Sequence, residues 1–171
     1  MKKIMITLGV LILSAGFTFA QRYAFVDTEY ILSNIPSYKA SQDKLDQFSK
    51  EWEKEISDEY AVVEKMYKDY QNEQVLLTRE MKIKREEEII GKEKAVKELQ
   101  NKYFGREGDL YIKRQELIKP IQDEVYNAVK EIAVEGNYAV IFDTASGPSM
   151  LYTNPKYDLS DDVLEKLGYK N

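Results

Sequence analysis

Between Lys39 and Gln74 the chain reads KASQDKLDQFSKEWEKEISDEYAVVEKMYKDYQNEQ, with no Gly or Pro and a dense mixture of charges. Large apolar residues recur within it at Leu45, Phe48, Trp52, Ile56, Tyr60, Val63, Tyr67 and Tyr70. Steps of three and four place these side chains on one stripe of a helix, close to a coiled-coil seam with a local stutter. At 1.5 Å per residue such a helix is roughly 50 Å long.

A second region of the same kind runs from Arg79 to about Glu135. Its seam is Ile83, Ile90, Val96, Leu99, Tyr103, Leu110, Leu117, Ile121, Val125, Ala128 and Ile132. The residues between the two regions, Val75-Leu76-Leu77-Thr78, allow a tight reversal, with Thr78 placed to cap the second helix. Folding back there sets Tyr70 against Ile83, Val63 against Ile90, Ile56 against Val96, Trp52 against Leu99 and Leu45 against Leu110. Periodicity within either helix does not guarantee that match, so it favours an antiparallel hairpin over one unbroken rod. Pro120 lies inside the second region and predicts a kink near the root of the hairpin, where Gly105 and Gly108 weaken the helix further.

The flanking segments change character. Arg22 to Asp27 reads Arg-Tyr-Ala-Phe-Val-Asp, a short strand pattern ending on a helix N-cap, and a short helix over Thr28–Ser33 stops before Ile35-Pro36. Gly136-Asn137 ends the second helical region, and Tyr138–Asp143, Tyr-Ala-Val-Ile-Phe-Asp, is the strongest strand pattern in the chain. A turn over 144–148 would return Ser149–Thr153 as the second strand of a hairpin. A last helix is capped by Ser160, favoured by Asp161 and Asp162 in its first turn, stapled by Leu159 and Leu164, and ended by Gly168. The fold class is therefore α+β and mostly helical: a long antiparallel helical hairpin projecting from a small body of three strands per chain. So small a sheet invites pairing between copies.

Met1-Lys2-Lys3 precedes an uncharged apolar run from Ile4 to Phe19 that ends in Thr18-Phe19-Ala20, the pattern of a cleaved secretory leader over 1–20. The run is shorter than the ~20 residues of a membrane span, and without a Cys no lipid anchor can follow it. Lys2 and Lys3 would leave with the leader, taking the formal charge from −5 to −7. An acidic exported chain without Cys is a poor general nucleic-acid binder and must be stabilised without disulfides.

The absence of His and Cys removes the usual nucleophile–base pairs and the common zinc sites. Gly91-Lys92 lacks the rest of a phosphate loop, and Glu86-Glu87-Glu88 reads as solvated helix surface. Asp27 and Asp143 read as cap and turn residues. No catalytic, cofactor or metal site is expected.

Leader, Tyr23-Ala-Phe-Val-Asp27, a long charged helical insertion, Tyr138-Ala-Val-Ile-Phe-Asp143 and an acidic-capped terminal helix follow one another in an order that resembles the Skp family of periplasmic chaperones, also called the OmpH family. The resemblance covers essentially the whole chain after the leader. It implies a trimer in which strands from three copies build a body over 21–36 and 113–171. Three hairpin arms over 37–112, with tips near 75–78, would surround a cavity that holds unfolded outer-membrane proteins without ATP. The best-known members are strongly basic, whereas this chain is acidic. The cluster Arg79, Lys82, Lys84 and Arg85 runs straight into Glu86, so membrane or lipopolysaccharide contact is not carried over.

On that reading the body candidates for assembly are Phe25, Val26, Val140, Ile141, Phe142 and Leu151. Client contact falls to apolar arm residues off the seam, foremost Val75, Leu76 and Leu77 at the tip, with Met81, Met66 and Phe104, and also Val62 and Ile89. Adaptable Met side chains and the aliphatic stems of charged residues suit weak, varied contacts. The alternative function is an envelope adaptor or structural coiled coil with one dedicated partner.

Overall fold

The computed structural model describes residues 21–147 and 150–169. The expected leader, and with it Pro148 and Ser149 of the expected turn and return strand, lie outside the described residues. The elements are β1 (Arg22–Val26), α1 (Thr28–Ser33), α2 (Pro36–Glu73), α3 (Arg79–Phe104), α4 (Asp109–Leu117), α5 (Lys119–Glu135), β2 (Tyr138–Asp143), a 3-10 turn (Pro155–Tyr157) and α6 (Ser160–Lys166). This is a mostly helical α+β chain. It divides into two compact units, one combining the segment up to Ile31 with the segment from Tyr126 onward, the other Leu32–Val125.

In the Leu32–Val125 unit, α2 runs for 38 residues from Pro36, which occupies the first helical turn where a missing N–H costs nothing. The chain then reverses, and the Thr78 hydroxyl accepts the Met81 N–H at 3.3 Å, as its cap position predicts. The hairpin core is Ile56, Val63, Val96 and Tyr103, with Trp52, Leu99 and Phe104 packed against it. Ile56 and Val96, and Trp52 and Leu99, thus share one cluster, and Trp52 stacks on Tyr103 with ring centroids 4.8 Å apart.

The expected seam needs one correction. Ile83 and Ile90 are 48% and 61% exposed, while Ile89, assigned above to the off-seam surface, is 2% exposed. Ile89, Val96 and Tyr103 are each seven residues apart, so they stay on one side of α3; Ile90 is rotated about 100° from it.

The second helical region is three helices, not one. Gly105 and Gly108 have extended backbones (ψ 168° and 178°), and the chain turns between them. A Cβ on Gly105 would lie 2.3 Å from the Asn101 carbonyl oxygen, and one on Gly108 2.7 Å from that of Lys102. Only glycine fits so close an approach. Gly105→Ala is expected to destabilise the hairpin by about 1–3 kcal/mol, read as a lower melting temperature, with the Trp52 emission changing alongside. Pro120 falls where the helical run is interrupted: Ile118 is the break, Pro120 sits in the first turn of α5, and the Ile118 carbonyl accepts the Ile121 and Gln122 N–H groups.

In the other unit β1 and β2 pair in parallel, with Tyr23 opposite Val140, Ala24 opposite Ile141 and Phe25 opposite Phe142. Ala24, Val26, Ile31, Leu159, Val163 and Leu164 are buried there. The other edge of β1 makes a single bridge from Phe25 to Asp158. The third strand is not found: Met150–Asn154 carries no strand, and the sheet has two strands among the described residues. After β2 the Asp143 carboxylate accepts the Ala145 N–H at 3.0 Å and the Thr28 hydroxyl at 2.8 Å, tying the start of the turn to α1. The Thr144 N–H goes to the Val26 carbonyl, prolonging the pairing with β1.

Capping is mostly as expected. Asp27 accepts the Tyr30 N–H at 2.9 Å, and Gly168 (φ 85°) closes α6, with the Tyr169 N–H on the Leu164 carbonyl. Asn137, not Gly136, takes the left-handed conformation after α5 (φ 50°). Ser160 differs: it is the first helical residue of α6 and is 3% exposed, its hydroxyl accepting the Asp27 N–H at 2.8 Å and donating to Asp158 at 2.6 Å. Asp158 takes the Ser160 N–H that a cap would take. Ser160→Ala should cost about 1–2 kcal/mol in a denaturant melt, since it strands the Asp27 N–H.

Candidate functional site

Exposed apolar side chains at the hairpin tip, on α3 and on the sheet bear most directly on function. The first is the hairpin tip. Val75 and Leu76 are 83% and 85% exposed, because a reversal of so few residues offers nothing to pack against, while Leu77 is half-buried. Met81, in the first turn of α3, is exposed and Met66 half-buried. Phe104 is placed differently: it lies edge-on to Trp52 and packs on the hairpin core. Val62 is exposed, whereas Ile89 is a core residue with no surface to offer. Arg85 at the tip pairs with Glu73 and Glu88, both at 3.6 Å.

The second place is a flank of α3. Ile83 and Ile90 are exposed one heptad apart, a pair the sequence reading spent on the seam. Counting back seven from Val96 instead of matching the apolar steps of α2 would have exposed them. Beside them tyrosines reach across the hairpin to acidic or amide groups, Tyr60 and Tyr70 from α2 and Tyr103 from α3. Tyr70 donates to Glu86, Tyr103 to Glu55 at 2.9 Å and, more loosely, Tyr60 to Gln100 at 3.5 Å.

Those carboxylates raise the phenol pKa values. For Tyr67 the largest cause is the charge of Glu93; for Tyr70 and Tyr103 it is the hydrogen bond to Glu86 and to Glu55. A raised phenol pKa means that the bonds hold below pH 10 and are lost as pH rises through the folded-state values. Absorbance titration should show these phenols ionising after the rest, and Tyr103→Phe should remove amplitude only from that late phase.

The third place is the outer face of the sheet. Register and the two-residue period put Tyr23, Phe25, Val140 and Phe142 on one face, opposite buried Ala24 and Val26. Phe142 stacks on Phe25 at 5.9 Å and on Tyr23 at 6.5 Å, yet remains 43% exposed. Of the assembly candidates, Val140, Phe142 and Leu151 are exposed, Phe25 and Ile141 half-buried, and Val26 is buried against its own chain. Leu151 is fully exposed on the strand-free segment, with Tyr152 beside it. The far edge of β2 has no strand partner among the described residues.

Among the described residues no group of three His, Cys, Asp or Glu side chains could hold a metal ion, and no helix is long and apolar enough to cross a membrane.

No curated protein matches this sequence. Among solved structures, a candidate outer membrane chaperone (OmpH-like) from Caulobacter crescentus has the same fold, with a TM-score of 0.66 over 88% of this chain and 86% of that one at 12% identity. The model of the family described as outer membrane protein (OmpH-like) matches residues 22–167, from the first strand to the last helix. With that match spanning both units, the chain belongs to the OmpH-like outer membrane protein family.

Proposed function

We propose that this protein is an ATP-independent holding chaperone of the periplasm that binds unfolded outer-membrane proteins and keeps them from aggregating. One observation carries the reading: a long charged helical hairpin presents Val75 and Leu76 almost fully to solvent at its tip. Apolar side chains so exposed are a liability unless something meets them. Family membership and the fold shared with a candidate outer membrane chaperone support the same reading.

The mechanism needs no chemical energy. Each arm offers small apolar contacts among wet, charged ones, so any single contact is weak and reversible. Three arms around one client would raise the local concentration of every remaining contact. The trimer would be built on the exposed Tyr23–Phe25–Val140–Phe142 face, with residues 21–36 and 113–171 as body and 37–112 as arm. With no His or Cys the usual nucleophile–base pairs are missing, and Gly91-Lys92 is no complete nucleotide loop, so we read the protein as non-enzymatic.

The experiment is suppression of light scattering when several unrelated β-barrel membrane proteins are diluted from urea into the protein without nucleotide. Suppression of all of them supports the holdase. Activity toward a single one would favour an envelope adaptor with a dedicated partner.

A further inference from the structure

The two flanks of the hairpin seam are closed largely by different chemistry, and the buried Tyr103 adds a hydroxyl bond to Glu55, four residues before Glu59 on α2. Glu86, Glu93 and Gln100 lie three residues before the buried Ile89, Val96 and Tyr103, and therefore share one flank of α3. On that flank Tyr70 bonds to Glu86, Tyr67 faces Glu93 and Tyr60 reaches Gln100. Arg85 and Lys92 lie four residues before Ile89 and Val96, on the other flank. There Lys92 pairs with Glu59 and Arg85 with Glu73.

The seam between these flanks is thin, with Ile89, Val96 and Tyr103 the only buried residues of α3. We infer that neutral tyrosine hydroxyls bonded to carboxylates, not the ion pairs, are the latch that keeps the hairpin closed, and that this makes the closed arm insensitive to salt. The physical basis is range. An exposed ion pair is attractive over several ångströms, costs side-chain entropy, and is screened by electrolyte. A phenol donating to a carboxylate acts at contact and carries only one charge, so there is little long-range attraction to screen. Tyr103 is buried and Tyr70 half-buried, so fixing those two hydroxyls costs less ordering than fixing a Lys or Arg, while Tyr67 is 41% exposed.

The test uses the full mature chain and its single tryptophan, Trp52, which stacks on Tyr103 and so reports on the hairpin directly. Melting is followed through Trp52 emission in about 0.1 M and about 1 M sodium chloride, between which the screening length falls from about 10 to about 3 Å. The wild type should shift by less than about 2 °C between the two, and Glu59→Gln/Glu73→Gln should follow it at both. Tyr67→Phe/Tyr70→Phe/Tyr103→Phe should melt at least about 5 °C lower and fall further in the higher salt, where only screened pairs remain. The inference is overturned if the three-Phe variant tracks the wild type, or if the paired Gln variant falls as far as it does. Should the triple variant not fold, Tyr70→Phe alone should speed amide exchange around Glu86–Ile90 about tenfold, and unchanged exchange there overturns the inference equally.

Discussion

Phe142→Asp is expected to dissociate the proposed assembly into protomers that keep their fold. Phe142 is 43% exposed on the outer sheet face and stacks only with Phe25 and Tyr23 of that face. In a lone protomer the new carboxylate can turn to water, so the parallel pairing of β1 and β2 survives. Between copies the same carboxylate would be desolvated among aromatic rings, at a cost of several kcal/mol. That weakens association by at least about 100-fold, enough to shift sedimentation at micromolar protein to the protomer mass. Far-UV circular dichroism should be unchanged. An intact assembly would show that Tyr23, Phe25, Val140 and Phe142 do not form the contact between copies.

Replacing Val75, Leu76 and Leu77 together with Ser should weaken client holding about tenfold or more and leave assembly intact. Val75 and Leu76 have almost nothing to lose within the chain, being 83% and 85% exposed. Burying each against a client is worth about 1–2 kcal/mol, so removing the set costs more than one decade of affinity. Leu77 is half-buried within the reversal, so the Val75→Ser/Leu76→Ser pair, which leaves Leu77 in place, separates client contact from turn stability. Both variants should keep the Trp52 emission of the wild type. Undiminished suppression of aggregation would move the client surface off the tip.

Local chemistry was legible in the sequence wherever a residue acts on its own neighbours. Thr78, Asp27, Gly168 and the reversal over Val75–Thr78 stand where their side chains or missing side chains dictate. Periodicity found the hairpin but not the rotation of α3 within it, since Ile89 and Ile90 are equally apolar and only the seven-residue step from Val96 separates them. Gly105 and Gly108 were read as weak points in one helix. The full break rests on close approaches to the Asn101 and Lys102 carbonyls, which no composition rule reveals. The return strand rested on the β-prone residues Met150, Leu151, Tyr152 and Thr153, but residue type says nothing of a pairing partner, and that segment carries no strand. Ser160 suits a cap by type and position, while its hydroxyl is committed to Asp27, distant in sequence. The proposed assembly and client surfaces stand out only as exposed apolar groups, because exposure says where a partner can bind and not which one does.

The most direct test of the chaperone reading is the mass, by light scattering, of the mature protein alone and with an unfolded outer-membrane β-barrel protein diluted from urea, without nucleotide. The account predicts a trimer that takes up the client as a soluble complex of higher mass. A stable assembly whose mass does not change while the client aggregates beside it would contradict the account and leave the dedicated adaptor as the better description.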